Sequence, residues 1–171
     1  GWDPEKVVAN ALFADGSAAI VGAAGGGEDD GRWAVKDTGS CLIPDSEDAM
    51  TWCVRTHGFE MSLSPRVPDL ICTHLRGWME GWLHDNGLAL DDVKSWAVHP
   101  GGPKILDAVG ESLELPPEAL AASRGVLADY GNMSSPTVLF VLDRLRRAGA
   151  PRPCVALGFG PGLVAEAALF G

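Results

Sequence analysis

The chain has 171 residues, of which 46% are hydrophobic and six are tryptophan, enough to bury one substantial core. We therefore expect one compact domain, or half of a larger one, and not a disordered chain. The formal net charge of -10 argues against nucleic acid or an anionic membrane as the main partner, because neither phosphates nor anionic lipids attract a negative surface.

The cysteines at Cys41, Cys53, Cys72 and Cys154 form no C-x-x-C pair and have no metal-ligand spacing. We expect reduced thiols in a cytoplasmic protein, each acting as a small buried hydrophobic side chain. No apolar run approaches the roughly 20 residues that a membrane-spanning helix needs. The sequence thus predicts no metal site and no membrane partner.

The N-terminal third is predicted to contain strands. Residues 9–24 are small and apolar and are interrupted by Asp15-Gly16, a pattern typical of two short buried strands around a tight turn. After a polar loop at residues 25–30, we predict a strand pair over residues 33–43 and a strand region over residues 51–63 with a turn at His57-Gly58.

The rest of the chain mixes helices with strands. Between Pro68 and Asn86 apolar residues recur at helical spacing, which predicts an amphipathic helix that ends at Asn86-Gly87. We then predict a buried strand over 95–98, helices over 104–113, 117–129 and 136–148, and strands over 155–158 and 163–170 that form a hairpin across Gly160-Pro161-Gly162. This order favours an α/β fold with helices packed on a mixed sheet.

Three motifs follow one another in the last 75 residues: His-Pro-Gly-Gly-Pro from His99 to Pro103, Tyr-Gly-Asn-Met-Ser-Ser from Tyr130 to Ser135, and Gly-Phe-Gly-Pro-Gly from Gly158 to Gly162. His99 is expected at the end of a strand, ahead of a helix. A histidine and a carboxamide can direct two N–H donors at one oxygen, and losing one such donor costs about 3 to 4 kcal/mol of barrier. The motifs therefore predict a site that stabilises an enolate or a thioester oxyanion.

Each motif taken alone also has a structural interpretation. His99 fits a hydrogen-bonded structural histidine, Asn132 fits a turn residue that tolerates a left-handed backbone, and the five residues from Gly158 fit a simple turn. The glycine spacing matches neither a dinucleotide fingerprint nor a P-loop, since no helix with Lys-Ser/Thr follows it.

In this order, the motifs resemble the C-terminal half of the type III polyketide synthases, the chalcone and stilbene synthase family. The matching stretches are ALFADGSAA, HGFEMSLSPRVPDLI, WAVHPGGPKILDAV, SRGVLADYGNMSSPTVLFVLDRL and GFGPGLVAE. The resemblance covers nearly the whole chain. It implies a thiolase-like layered fold in which residues 1–171 form the C-terminal-type domain and residues 1–24 match the end of the N-terminal half.

The resemblance also implies roles for particular residues. His99 and Asn132 match the catalytic pair that polarises the thioester carbonyl of malonyl-CoA during decarboxylation and holds the enolate, and His99 would also keep the nucleophilic cysteine as a thiolate. Phe13 matches the aromatic gatekeeper of the CoA tunnel, and Met61 occupies the position of a second gatekeeper, where a flexible thioether favours an aliphatic starter. The other residues that the resemblance assigns to the substrate cavity are Trp52 and Ser134, with a wall-forming loop of Gly158, Phe159, Gly160, Pro161 and Gly162, in which glycine permits close approach of the backbone.

In this family the acyl-carrying cysteine lies upstream of the ALF-x-DG segment, and none of the four cysteines matches its position. The expected substrates are acyl-CoA and malonyl-CoA, without a further cofactor, and the expected partner is an N-terminal cysteine-bearing half in the same or another chain. The complete enzyme is expected to be a homodimer. Two functions remain open: part of an acyltransferase, or a non-catalytic thiolase-fold module that only associates with a partner.

Overall fold

The computed structural model describes residues 11–24, 32–56 and 58–171. The predicted loop at 25–30 and the turn residue His57 lie outside this part of the chain. The described strands are β1 (Val35–Leu42), β2 (Met50–Arg55), β3 (Gly58–Leu63), β4 (Ser95–Val98), β5 (Cys154–Gly160) and β6 (Val164–Phe170). The helices that lie wholly within the described residues are α1 (Val67–Asp85), α2 (Pro103–Ser112), α3 (Ala121–Tyr130) and α4 (Pro136–Arg147), with 3₁₀ turns at Leu90–Asp92 and Pro117–Leu120.

A four-stranded sheet in the order β1-β6-β5-β4 lies at the centre of the fold. β4 runs parallel to β5, whereas β6 is antiparallel to both β5 and β1. β2 and β3 form a separate antiparallel hairpin. The predicted α/β class with a mixed sheet is therefore confirmed, and so is the hairpin of β5 and β6.

Side chains alternate between the two faces of the sheet, as the two-residue period of a strand requires. In β4 and β5, Trp96 and Leu157 belong to the core cluster that α1 and α2 cover, whereas Ala97 and Ala156 belong to the cluster that contains residues of α3 and α4. Both faces are thus covered by helices, which explains why β4 is buried along its whole length.

The helices begin and end near the predicted residues. α1 has Pro68 in its first turn, where a missing N–H costs nothing, and it ends before Asn86 and Gly87, whose φ of +72° suits glycine. α4 carries its arginines in the last turn, next to the negative end of the helix dipole. None of the helices in the described ranges is long and apolar enough to cross a membrane.

Strand β1 is held against α1 by a polar contact. The indole Nε1 of Trp82 and the amide Nδ2 of Asn86 both donate to the carboxylate of Asp37, each at 2.8 Å. These two hydrogen bonds, Asn86 first, lower the pKa of Asp37 below its ordinary value of 3.8. The same indole packs closely over Gly39. A Cβ built on this glycine would lie 2.8 Å from Nε1 of Trp82, so a side chain there would clash.

Three expectations about local structure are wrong. Within residues 11–24 only Phe13 forms a β-bridge, while Ile20 and Val21 are 67% and 97% exposed. Small apolar residues permit a strand, but the described chain offers this segment no further strand to pair with. Residues 33–43 form one strand and not a pair, since the partner of β1 is the distant β6.

The third correction concerns the cysteines, all of which are free thiols. Cys154 is buried and Cys41 and Cys72 are half-buried, but Cys53 is exposed on β2. It therefore does not serve as a buried hydrophobic side chain.

Candidate active site

His99 is placed by the end of β4. Its backbone N–H donates to the Leu157 carbonyl of β5 at 2.7 Å, which extends the parallel pairing one residue beyond the strand. Burial lowers the pKa of the imidazole from 6.5 to about 4. The ring is therefore neutral near pH 7, and a neutral imidazole has one N–H to donate.

The Gly101-Gly102 turn connects His99 to α2, which begins at Pro103, one residue before the predicted start. The Gly101 N–H donates to the His99 carbonyl at 3.0 Å. A Cβ built on Gly101 would lie 3.9 Å from Nε2 of His99. A side chain at position 101 would therefore be in van der Waals contact with the ring edge that carries Nε2.

The backbone of Asn132 is held on both sides by the N-terminal segment. Its N–H donates to the Leu12 carbonyl at 2.8 Å, and its carbonyl accepts from the N–H of Ala14 at 2.9 Å. These bonds form a parallel bridge with Phe13. Gly131 has a φ of +74° and lies close to the Leu12 carbonyl, so a side chain there would be strained and crowded.

The carboxamide of Asn132 belongs to a residue that is 5% exposed, and its orientation is fixed at both ends. Oδ1 accepts from the backbone N–H of Ser134 at 2.8 Å, and Nδ2 donates to the carbonyl of Gly101 at 3.2 Å. Within the described part of the chain Nδ2 uses one of its two hydrogens in this way. The other hydrogen has no acceptor among the described residues.

The structure therefore brings His99 and Asn132 together at Gly101. The carboxamide donates to the carbonyl of this glycine, and a Cβ built on it would lie 3.9 Å from Nε2 of the imidazole, although 33 positions separate His99 and Asn132 in the sequence. Two neutral N–H donors in a largely buried region can stabilise a developing oxyanion, because a low local dielectric strengthens each interaction. The described residues contain no His, Cys, Asp or Glu cluster suited to a metal ion.

Three predicted cavity residues lie close to this pair. Phe13 is bridged to Asn132 and 37% exposed, and the backbone of Ser134 donates to the Asn132 side chain. Gly158 lies against His99, because a Cβ built on this glycine would be 3.7 Å from the histidine Cβ. By contrast, Trp52 and Met61 face each other across the separate β2-β3 hairpin, where Trp52 is 47% exposed.

The predicted loop from Gly158 to Gly162 is mostly strand. Gly158, Phe159 and Gly160 pair with β6, whereas Pro161 and Gly162 lie in the turn together with Leu163. A Cβ on Gly158 or Gly160 would make ordinary or slightly tight contacts, so close approach does not demand glycine there. Gly162 differs, because its φ is +140° and a Cβ would lie 3.0 Å from Leu42.

Sequence reasoning missed two supports of Asn132. The backbone of residues 12–14 gave no signal, since a bridge across more than a hundred residues has no local pattern. Thr137 is fully buried and bonded to the turn that follows Asn132. The signal that could have identified Thr137 is its place near the start of a predicted helix, where a hydroxyl side chain often bonds to the backbone of the preceding turn.

Residues 35–171 match the family model of the chalcone and stilbene synthases, C-terminal domain. The chain is 42% identical to a 1,3,6,8-tetrahydroxynaphthalene synthase of Streptomyces peucetius over 94% of its length, and 38% identical to an alpha-pyrone synthesis polyketide synthase-like protein, Pks18, of Mycobacterium tuberculosis over 98%. It covers 44% of each of these relatives.

A solved structure agrees with these matches. The fold superposes with a TM-score of 0.79 on the crystal structure of PKS-I from the brown alga Ectocarpus siliculosus, at 34% identity, covering 82% of this chain and 39% of that one. The predicted thiolase-like fold and the predicted family are thus confirmed. The chain belongs to the chalcone and stilbene synthases, the type III polyketide synthases, and corresponds to their C-terminal domain.

Proposed function

We propose that this chain supplies the His/Asn pair with which a type III polyketide synthase condenses malonyl-CoA, with decarboxylation, onto a CoA-derived acyl starter. The position of Gly101, bonded to the Asn132 carboxamide and with its built Cβ 3.9 Å from Nε2 of His99, is the observation that carries the proposal. In this proposal their free N–H groups converge on the thioester oxygen of the malonyl unit, which accumulates negative charge as the reaction proceeds.

The proposed reaction conserves atoms and charge. The malonyl carboxylate leaves as carbon dioxide, and the electron pair of the broken C–C bond moves onto the thioester oxygen, giving an enolate held by the two donors. The enolate carbon then attacks the acyl thioester on a cysteine, and the cysteine leaves as a thiolate. His99 is neutral at pH 7, so it stabilises charge in this scheme by hydrogen bonding.

The nucleophilic cysteine, the CoA thioesters and the homodimer belong to the proposal for the whole synthase. The chain spans about 44% of the length of the Streptomyces and Mycobacterium relatives. We place the cysteine in an N-terminal half, in the same or another chain, that packs against exposed apolar side chains such as Trp52 and Val54. No cofactor besides the CoA substrates is part of the proposal.

The test uses the complete synthase and measures its two half-reactions separately. Asn132→Ala should abolish malonyl-CoA decarboxylation while leaving starter loading on the cysteine largely intact, because loading forms no enolate. His99→Ala should impair both, since it also removes the neutral imidazole that, in the proposal, accepts the proton of the cysteine thiol.

A purely structural role makes a different forecast. If Asn132 only forms a turn, its replacement should lower the thermal midpoint and depress loading and decarboxylation together. A stable Asn132→Ala enzyme with full decarboxylation would refute the catalytic assignment. The same result would favour the alternative in which the domain only associates with a partner.

A further inference from the structure

Thr137 occupies the first turn of α4 and is fully buried, yet its side chain is polar. Its hydroxyl oxygen accepts from the backbone N–H of Met133 at 2.8 Å and donates to the backbone carbonyl of Ser134 at 2.8 Å. One hydroxyl thus satisfies a buried donor and an acceptor in the two residues after Asn132. Both bonds have the length of good hydrogen bonds.

These bonds continue into the Asn132 side chain. The N–H of Ser134, between the two backbone groups that Thr137 binds, donates to Oδ1 of Asn132. Ser134 adopts a left-handed backbone with a φ of +61°, a conformation that non-glycine residues keep only where their surroundings hold it. The Thr137 hydroxyl thus binds a backbone group on each side of the Ser134 N–H and restrains its direction. The Ser134 carbonyl also accepts from the Thr137 backbone N–H at 3.0 Å, so the Met133 N–H is the group that depends on the hydroxyl.

We propose that Thr137 is a positioning residue for Asn132, holding the 133–134 turn so that the Asn132 carboxamide keeps its donor aimed at the substrate oxygen beside Gly101. This inference rests on the proposed function of Asn132. Through Thr137, α4 would influence the decarboxylation step without contacting the substrate.

The decisive variant is Thr137→Val, which keeps the shape of the side chain but removes the hydroxyl. In the complete synthase, decarboxylation should fall roughly 10- to 100-fold, as expected when a catalytic group is displaced by a fraction of an ångström to an ångström. Starter loading and the KM for malonyl-CoA should change little. Thr137→Ser, which restores the hydroxyl, should recover most of the decarboxylation rate.

Thr73→Val is the matched control. Among the described residues its hydroxyl donates only to the Asp69 carbonyl within α1, on an exposed face, so both half-reactions should be unchanged. If Thr137→Val does not fold, Thr137→Cys takes its place, since a thiol is a much weaker hydrogen-bond partner. Its decarboxylation should then fall below that of Thr137→Ser.

Two different failures are distinguishable. If Asn132→Ala loses decarboxylation but Thr137→Val, or Thr137→Cys in its place, keeps the rate of Thr137→Ser, the positioning role is wrong and the proposed function stands. If Asn132→Ala itself keeps decarboxylation, the proposed function fails first. An equal loss of loading and decarboxylation in Thr137→Val would show a merely structural residue.

Discussion

At His99, the burial that keeps the imidazole neutral also makes the stability of the fold depend on pH. The pKa of the His99 imidazole is about 4 in the folded chain, against 6.5 for an unperturbed histidine. The unfolded chain therefore binds a proton first as the pH falls. This contribution to the free energy of unfolding is fully present above pH 6.5 and is lost between about 6.5 and 4.

We therefore predict that the thermal midpoint of the chain falls between pH 6.5 and 4, and that His99→Gln flattens this part of the profile. Glutamine keeps an N–H donor but does not titrate. The pKa of Asp37 is lowered from its ordinary value of 3.8, so its contribution to stability is lost at a lower pH than that of His99. It therefore does not obscure the change due to His99. Parallel profiles for the two proteins over pH 4 to 6.5 would contradict the neutral, buried state of His99.

At the scale of single elements, the contact of β1 with α1 depends on one glycine. Alanine at Gly39 would place a Cβ within 2.8 Å of the Trp82 indole, which is itself bonded to Asp37. We predict that Gly39→Ala lowers the free energy of unfolding by about 1 to 3 kcal/mol, as overpacked cores do. Urea denaturation measures the change.

Gly77→Ala provides the control for this prediction. Gly77 lies on the exposed side of α1, and a Cβ added there would meet no atom within 4 Å. Alanine there should raise the free energy of unfolding by about 0.5 to 1 kcal/mol, because it is the better helix former. Equal effects at the two positions would mean that the indole is not packed on β1.

The elements that the sequence predicted well are those set by local pattern. Apolar residues at helical spacing located α1, and the glycines and prolines around α2 and α4 located the helix ends. Strands were predicted less accurately, because a strand forms only where another strand is available for backbone hydrogen bonding, and local sequence does not reveal that partner. β1 pairs with β6, more than a hundred residues away, and residues 14–24 have a strand-like composition but no such partner in the described chain.

At the scale of the whole molecule, the candidate site is assembled from distant segments. Residues 12–14 hold the backbone of Asn132, the turn after β4 supplies Gly101, and β5 holds the backbone of His99. Motif order in the sequence, through the resemblance, predicted His99 and Asn132 as the candidate pair. It did not predict these backbone supports, which follow from the three-dimensional packing of the sheet and its helices.

The four thiols provide a last prediction, because the molecule presents them very differently. Burial raises the pKa of Cys41, Cys72 and Cys154, which disfavours the reactive thiolate, whereas Cys53 is exposed on the hairpin. Cys53 lies on the β2-β3 hairpin, whereas His99 follows β4 of the central sheet, and no hydrogen bond between the two side chains is present among the described residues.

We therefore expect iodoacetamide to modify Cys53 first and Cys154 last, and hexanoyl-CoA to leave no stoichiometric thioester on this chain. Peptide mass spectrometry after timed exposure measures both results, and Cys53→Ser, which should remove the fast alkylation step, is the control. A stoichiometric acyl thioester on any of the four cysteines would show that this domain carries its own nucleophile, and the cysteine would no longer need to come from the N-terminal half.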